Sequence, residues 1–132
     1  MGASVISGTQ FRIEDPALAG AALRGLRKRV TTPSEAESLV RQCEDQQALC
    51  LACEDGMMVV DLRPVGDGYE MFVLALVAFK HGFYERQHAA ARDIARDLGA
   101  SQIAFQSRRN GWGRRLGPEW FRRGSDEFVR SV

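Results

Sequence analysis

The feature that most narrows the fold is the run MFVLALVAF, Met71 to Phe79, in which every side chain is apolar. A strand with one wet face alternates apolar and polar residues. A strand apolar on both faces needs cover on both, so this segment is expected at the centre of a covered sheet. It is too short to cross a bilayer, which takes about 20 apolar residues in a helix. The segments before it, ALCLACED and MMVVDLRPV, also read as strands. Asp55-Gly56 and Gly66-Asp67-Gly68 are hairpin signals between them, so the three strands should form an antiparallel meander.

The periodicity changes after Phe79. A helix is expected from Tyr84 to Leu98, with Ala91, Ile94, Ala95 and Leu98 on one face and Gly99 as its stop. SQIAFQS then reads as a short strand reached through a crossover helix, which makes it parallel to the Met71–Phe79 strand. Upstream, SVISGTQFRI reads as a first strand. Two helices should follow it. One starts at Asp15-Pro16 with Leu18, Ala22 and Leu26 on its apolar face; the other starts at Thr32-Pro33 with Glu35 as the capping-box carboxylate. NGWGRRL reads as a short helix capped by Asn110 and ended by Gly117-Pro118, and WFRR with DEFVRSV closes the chain as a hairpin. Trp120 and Phe121 are expected in the core, since one of them should pack under that hairpin. The expected order is therefore β-α-α-β-β-β-α-β-α-β-β, one α/β (α+β) domain over residues 1–132.

At 132 residues, 45% apolar and 27% charged, the chain can bury an ordinary core without disulfides or metal. A net charge of +1 does not single out a polyanionic partner. The N-terminal stretch has neither the basic start nor the apolar core of a secretory signal, so a cytoplasmic setting is expected, with no membrane partner. The odd number of cysteines, Cys43, Cys50 and Cys53, points to a reducing compartment. CLAC has redox-motif spacing, but within a strand it sends Cys50 and Cys53 to opposite faces. No set of four metal ligands is apparent, so the cysteines read as buried and inert, and no metal is expected.

Three residues carry candidate chemistry. His81 lies in the loop before the long helix, with an ordinary pKa of about 6.5 that suits a general base. Glu70, at the entrance of the apolar strand, could take a proton from an ammonium group. Tyr84, at the helix start, could donate one. His88 lies within the helix and reads as a packing residue. The other charged feature is SRRNGWGRRLGPEWFRR, where arginines interleave with Trp112 and Trp120. That mixture suits phosphate contact and stacking, a protein interface, or a weak nucleic-acid surface without sequence preference.

The element order resembles the GNAT superfamily of acetyl-CoA-dependent N-acyltransferases over nearly the whole chain. ARDLGASQIAF is similar to the end of that family's cofactor helix and its following strand, and Asn110 to its Asn before the last helix. The resemblance implies a mixed, mostly antiparallel sheet of about six or seven strands flanked by helices. It implies that the Met71–Phe79 and Gln102–Gln106 strands diverge at their C-terminal ends and admit the pantetheine arm of acetyl-CoA. Backbone at Leu76, Val77 and Ala78 would pair with pantetheine. Gly82, with the amides of His81, Phe83, Tyr84 and Glu85, would hold the pyrophosphate. Asn110 would orient the arm, and Arg114 would meet the adenosine phosphate.

The phosphate-loop pattern falls on Phe79, Gly82 and Tyr84, of which only Gly82 matches. Gly117 stands where a Tyr often protonates the leaving thiolate. Two functions follow. One is acetyl transfer from acetyl-CoA to a small-molecule or protein amine. The other is a non-catalytic GNAT-like protein working through a protein partner or a homo-oligomer, as in compact, eroded, virion-associated domains encoded by phages.

Overall fold

Residues 11–14, 33–54, 56–78, 83–107 and 116–132 are described by the computed structural model, with side chains excepted at 33–36, 77–78 and 83–89. Within them lie strand β1 (Arg12–Ile13), helix α1 (Pro33–Glu44) and the meander β2 (Leu49–Cys53), β3 (Gly56–Val65) and β4 (Gly68–Ala78). Helix α2 (Phe83–Asp97), strand β5 (Gln102–Gln106) and the closing hairpin β6 (Trp120–Arg123) and β7 (Glu127–Ser131) follow. The helices expected from Asp15 and from Asn110, and most of the first expected strand, lie outside the described residues.

The seven strands form one sheet in the order β1-β2-β3-β4-β5-β7-β6. Each neighbouring pair is antiparallel except β4–β5, which is parallel as the crossover helix requires. Val65 pairs with Gly68 across a tight turn in which Gly66 has φ +54°, the left-handed first position of a hairpin turn that glycine fills without steric cost.

Both helices end on the same device. Gly99 (φ +82°) follows α2, with Ala100 N–H bonded to Ala95 C=O at 2.8 Å and Gly99 N–H to Arg96 C=O at 3.0 Å. That double bond is the Schellman motif. Helix α1 repeats it, with Gln47 N–H on Gln42 C=O at 2.8 Å and Gln46 N–H on Cys43 C=O at 3.1 Å, but the left-handed residue is Gln46, φ +59°.

The two helices cover opposite faces. Ala91, Ile94 and Ala95 of α2 pack on Leu51, Met58, Val60, Met71, Val73 and Ile103. Leu39, Val40 and Cys43 of α1 pack on Cys50, Met57 and Val59. Cys50 and Cys53 fall in these two different clusters, as the strand spacing demands. Burial, with Glu44 beside it, pushes the Cys43 thiol up to about 11; burial, with Cys43 and Glu14 nearby, pushes Cys50 up to about 12. Neither is a thiolate at neutral pH. At the closing hairpin the two expected core aromatics separate. Trp120 packs edge-on against Phe105 at 5.4 Å between centroids, whereas Phe121 is 55% exposed, because successive strand residues point to opposite faces.

Candidate functional site

Strand β4 changes character halfway along. From Glu70 to Val73 it pairs in parallel with Gln102 to Phe105, and there the ladder ends, although β4 continues to Ala78. On its other side it stays bonded to β3, with a register shift: Val60 faces Val73 and Val59 faces Ala75, leaving Leu74 unpaired between them. Leu74 and Ala75, consecutive in sequence, both pack at the α1-side cluster, while Val73 and Leu76 pack on the α2 side. Two neighbours on one face are the mark of a β-bulge, which bends a strand and sharpens its twist.

The bulge thus coincides with the end of the β4–β5 ladder. Past it, β4 follows β3, with Ala78 still opposite Gly56. Strand β5 follows β7 instead, with Ser107 N–H bonded to Asp126 C=O at 2.9 Å. The β4–β5 pairing thus stops at Val73 and Phe105, one residue before β5 ends at Gln106. Among the described residues, β4 from Leu74 to Ala78 has no strand on the β5 side. Main-chain groups on that side are the kind an extended, amide-bearing ligand can pair with.

Helix α2 starts at Phe83, five residues past the end of β4. The first N–H groups of any helix lack intrahelical partners and carry partial positive charge, which favours an anionic group near them. Of the residues expected to hold a cofactor, Leu76, Val77 and Ala78 lie on the half of β4 past its ladder with β5, and Phe83, Tyr84 and Glu85 in the first turn of α2. His81, Gly82, Asn110 and Arg114 lie outside the described residues, as does Phe79. Gly117 is in the turn before β6, where its carbonyl accepts a hydrogen bond from Trp120 N–H at 3.2 Å; it supplies no acid.

Glu70 is placed at the other end of the β4–β5 ladder, opposite Gln102. It is the one buried charged residue described, 3% exposed. Arg123 donates to it through both terminal nitrogens, at 2.7 and 3.1 Å, and Gln102 Nε2 at 2.7 Å. Arg123 also donates to Glu127 Oε1 through Nε and a terminal nitrogen, at 2.9 and 2.7 Å. Burial alone would raise the Glu70 pKa; the hydrogen bonds from Arg123 and Gln102, with the charges of Arg123 and Arg63, outweigh it and hold the carboxyl below its ordinary value. Its oxygens are engaged and its basicity reduced, both adverse to proton abstraction. Sequence reasoning does not reach Arg123 or Gln102. The only signal is Glu70 itself, a carboxylate at the mouth of a strand too apolar to leave it unpaired.

No family model matches the sequence, and no curated protein matches it significantly. Solved structures do. An acetyltransferase from Thermus thermophilus is similar over 94% of this chain and 98% of its own, with TM-score 0.56 at 16% identity. An N-acetylglutamate synthase from Neisseria gonorrhoeae, solved with coenzyme A and N-acetylglutamate, is similar over 95% of this chain and 36% of its own, with TM-score 0.48 at 17% identity. No helix among the described residues is long and apolar enough to cross a membrane. The parallel β4–β5 pair in an otherwise antiparallel sheet, the crossover helix between them and the likeness over nearly the full length of the acetyltransferase give this chain a GNAT-like fold.

Proposed function

We propose that the chain is an acyl-coenzyme A N-acyltransferase that seats acetyl-CoA along the half of β4 that runs on past the end of its ladder with β5. The observation that carries this reading is the coincidence of the Leu74 bulge with the end of the β4–β5 ladder at Val73 and Phe105. In this reading the pantetheine amides pair with the main chain at Leu76–Ala78. The pyrophosphate meets Gly82 and the first amides of α2 through Glu85, Asn110 orients the arm, and Arg114 meets the adenosine phosphate.

Acetyl-CoA supplies an activated thioester. A neutral amine attacks the carbonyl carbon, the C–N bond forms, the C–S bond breaks, and the electron pair leaves on sulfur. The ammonium proton passes to a base, and the thiolate takes a proton from Tyr84 or water. His81 keeps the role of base, because the Glu70 carboxylate is committed to Arg123 and Gln102. A base of this kind contributes about 10²- to 10⁴-fold.

A second reading, a GNAT-like protein that works through contacts without transfer, draws on the altered positions Phe79, Tyr84 and Gly117. Isothermal titration with acetyl-CoA separates the two. Micromolar affinity, weakened far more by Gly82→Trp than by Lys80→Ala, supports the acyltransferase, as does release of free coenzyme A in the presence of a polyamine or lysine peptide. No binding at millimolar acetyl-CoA favours the contact protein.

A further inference from the structure

Phe121 is an aromatic side chain that the core does not use. It is 55% exposed on β6, and among the described residues no strand lies on the outer side of β6. An edge of this kind carries unpaired main-chain groups and invites another strand. Two copies joined edge to edge through antiparallel strands are related by a two-fold axis perpendicular to the sheet, which keeps like faces together. Directly opposed residues of antiparallel strands share a face, so the axis must fall on a residue, and the middle of β6 offers Phe121 or Arg122.

The two registers differ in charge. Centred on Arg122, the seam sets Arg122 against its own copy, a like-charge pair. Centred on Phe121, it sets Phe121 against Phe121 of the other copy and Trp120 against Arg122. Glu119, just before the strand, then lies opposite Arg123, but Glu119 is already bridged to Arg130 and Arg123 to Glu70 and Glu127, so this pair does not decide the register. Aromatic and cation–aromatic cross-strand pairs stabilise a sheet, and the register centred on Phe121 has both. We propose that β6 pairs antiparallel with β6 of a second copy of this chain, centred on Phe121, joining two sheets into one.

The seam is short, and the Trp120 amide is already bonded to the Gly117 carbonyl at 3.2 Å, so the dimer is weak. Its area falls below that of stable interfaces, and a dissociation constant on the order of 0.1–1 mM is expected. Sedimentation of the full chain under reducing conditions, from about 10 µM to about 1 mM, spans that range. The average mass should rise from 14.7 kDa toward twice that value. Phe121→Lys, which places two cations face to face, should hold the protein monomeric throughout, and Phe121→Ala should weaken the dimer at least several-fold. Phe121→Cys, opposite itself on the axis, should form an oxidised dimer faster than Arg122→Cys, which faces Trp120. A wild-type chain that stays monomeric at the top concentration overturns the proposal. So does a dimer that survives Phe121→Lys, or equal cross-linking of the two cysteine variants.

Discussion

Arg123, on the edge strand β6, reaches Glu70 on the central strand β4 with hydrogen bonds of 2.7 and 3.1 Å, across the two strands that separate β6 from β4 in the sheet. The contact ties the closing hairpin to the half of β4 whose ladder with β5 is intact. The far half runs on past the end of that ladder. Glu70 is almost wholly buried while Arg123 keeps 39% of its side chain exposed, and this asymmetry decides what each loss should cost.

Arg123→Ala leaves a buried carboxylate without its main partner, and should cost about 2–4 kcal/mol by urea unfolding. Glu70→Gln leaves a guanidinium that still has Glu127 and solvent, so after allowing for screening it should cost about 1 kcal/mol or less. Equal losses, or the reverse order, would show that the pair is not the buried anchor described.

Glu70 also sets an acid limb. Its pKa is lowered in the folded chain and ordinary, about 4.3, in the unfolded one. The stabilisation it brings is therefore full above that ordinary value and lost as pH falls through the lower folded value. The stability gap between wild type and Glu70→Gln should narrow on acidification below about pH 4.5. A gap that widens there would reverse the sign of the shift.

Gln46 holds the left-handed position of the α1 stop on an exposed site. Gln46→Gly removes that backbone strain at the cost of a more flexible unfolded chain, and should stabilise by about 0.5 kcal/mol. A loss of stability would mean that the Gln46 side chain contributes more than its backbone costs.

Cys43, Cys50 and Cys53 are all buried, and Cys43 and Cys50 are pushed up to about 11 and about 12. A disulfide reagent at mild pH should modify them only as fast as the domain opens, with all three titrating together in denaturant. Rapid labelling of Cys43 or Cys50 in the native protein would contradict their packing between α1 and β2.

Much of the fold is legible in the sequence because its signals are local. Gly66-Asp67 marks the β3–β4 turn, Gly99 the end of α2, and the all-apolar strand the centre of the sheet. The α1 stop lacks such a mark, because Gln46 adopts the conformation glycine usually supplies. The Leu74 bulge leaves no trace in a run where every residue is apolar: shifting the face of one Leu among Val, Ala and Leu changes no pattern. The Glu70–Arg123 pair joins residues 53 apart in sequence, with nothing local to announce it. Apolar character alone puts Phe121 in the core with Trp120, although strand alternation allows only one of two neighbours to share that face.

The central claim is that the half of β4 past its ladder with β5 seats acyl-coenzyme A, and an amide-resolved NMR titration with acetyl-CoA tests it most directly. Saturable shifts are expected at Leu74–Ala78 and at Phe83–Glu85, with Glu70–Val73, still laddered to β5, moving little. An absence of shifts at millimolar acetyl-CoA, or shifts confined to the Glu70 end of the sheet, would contradict it.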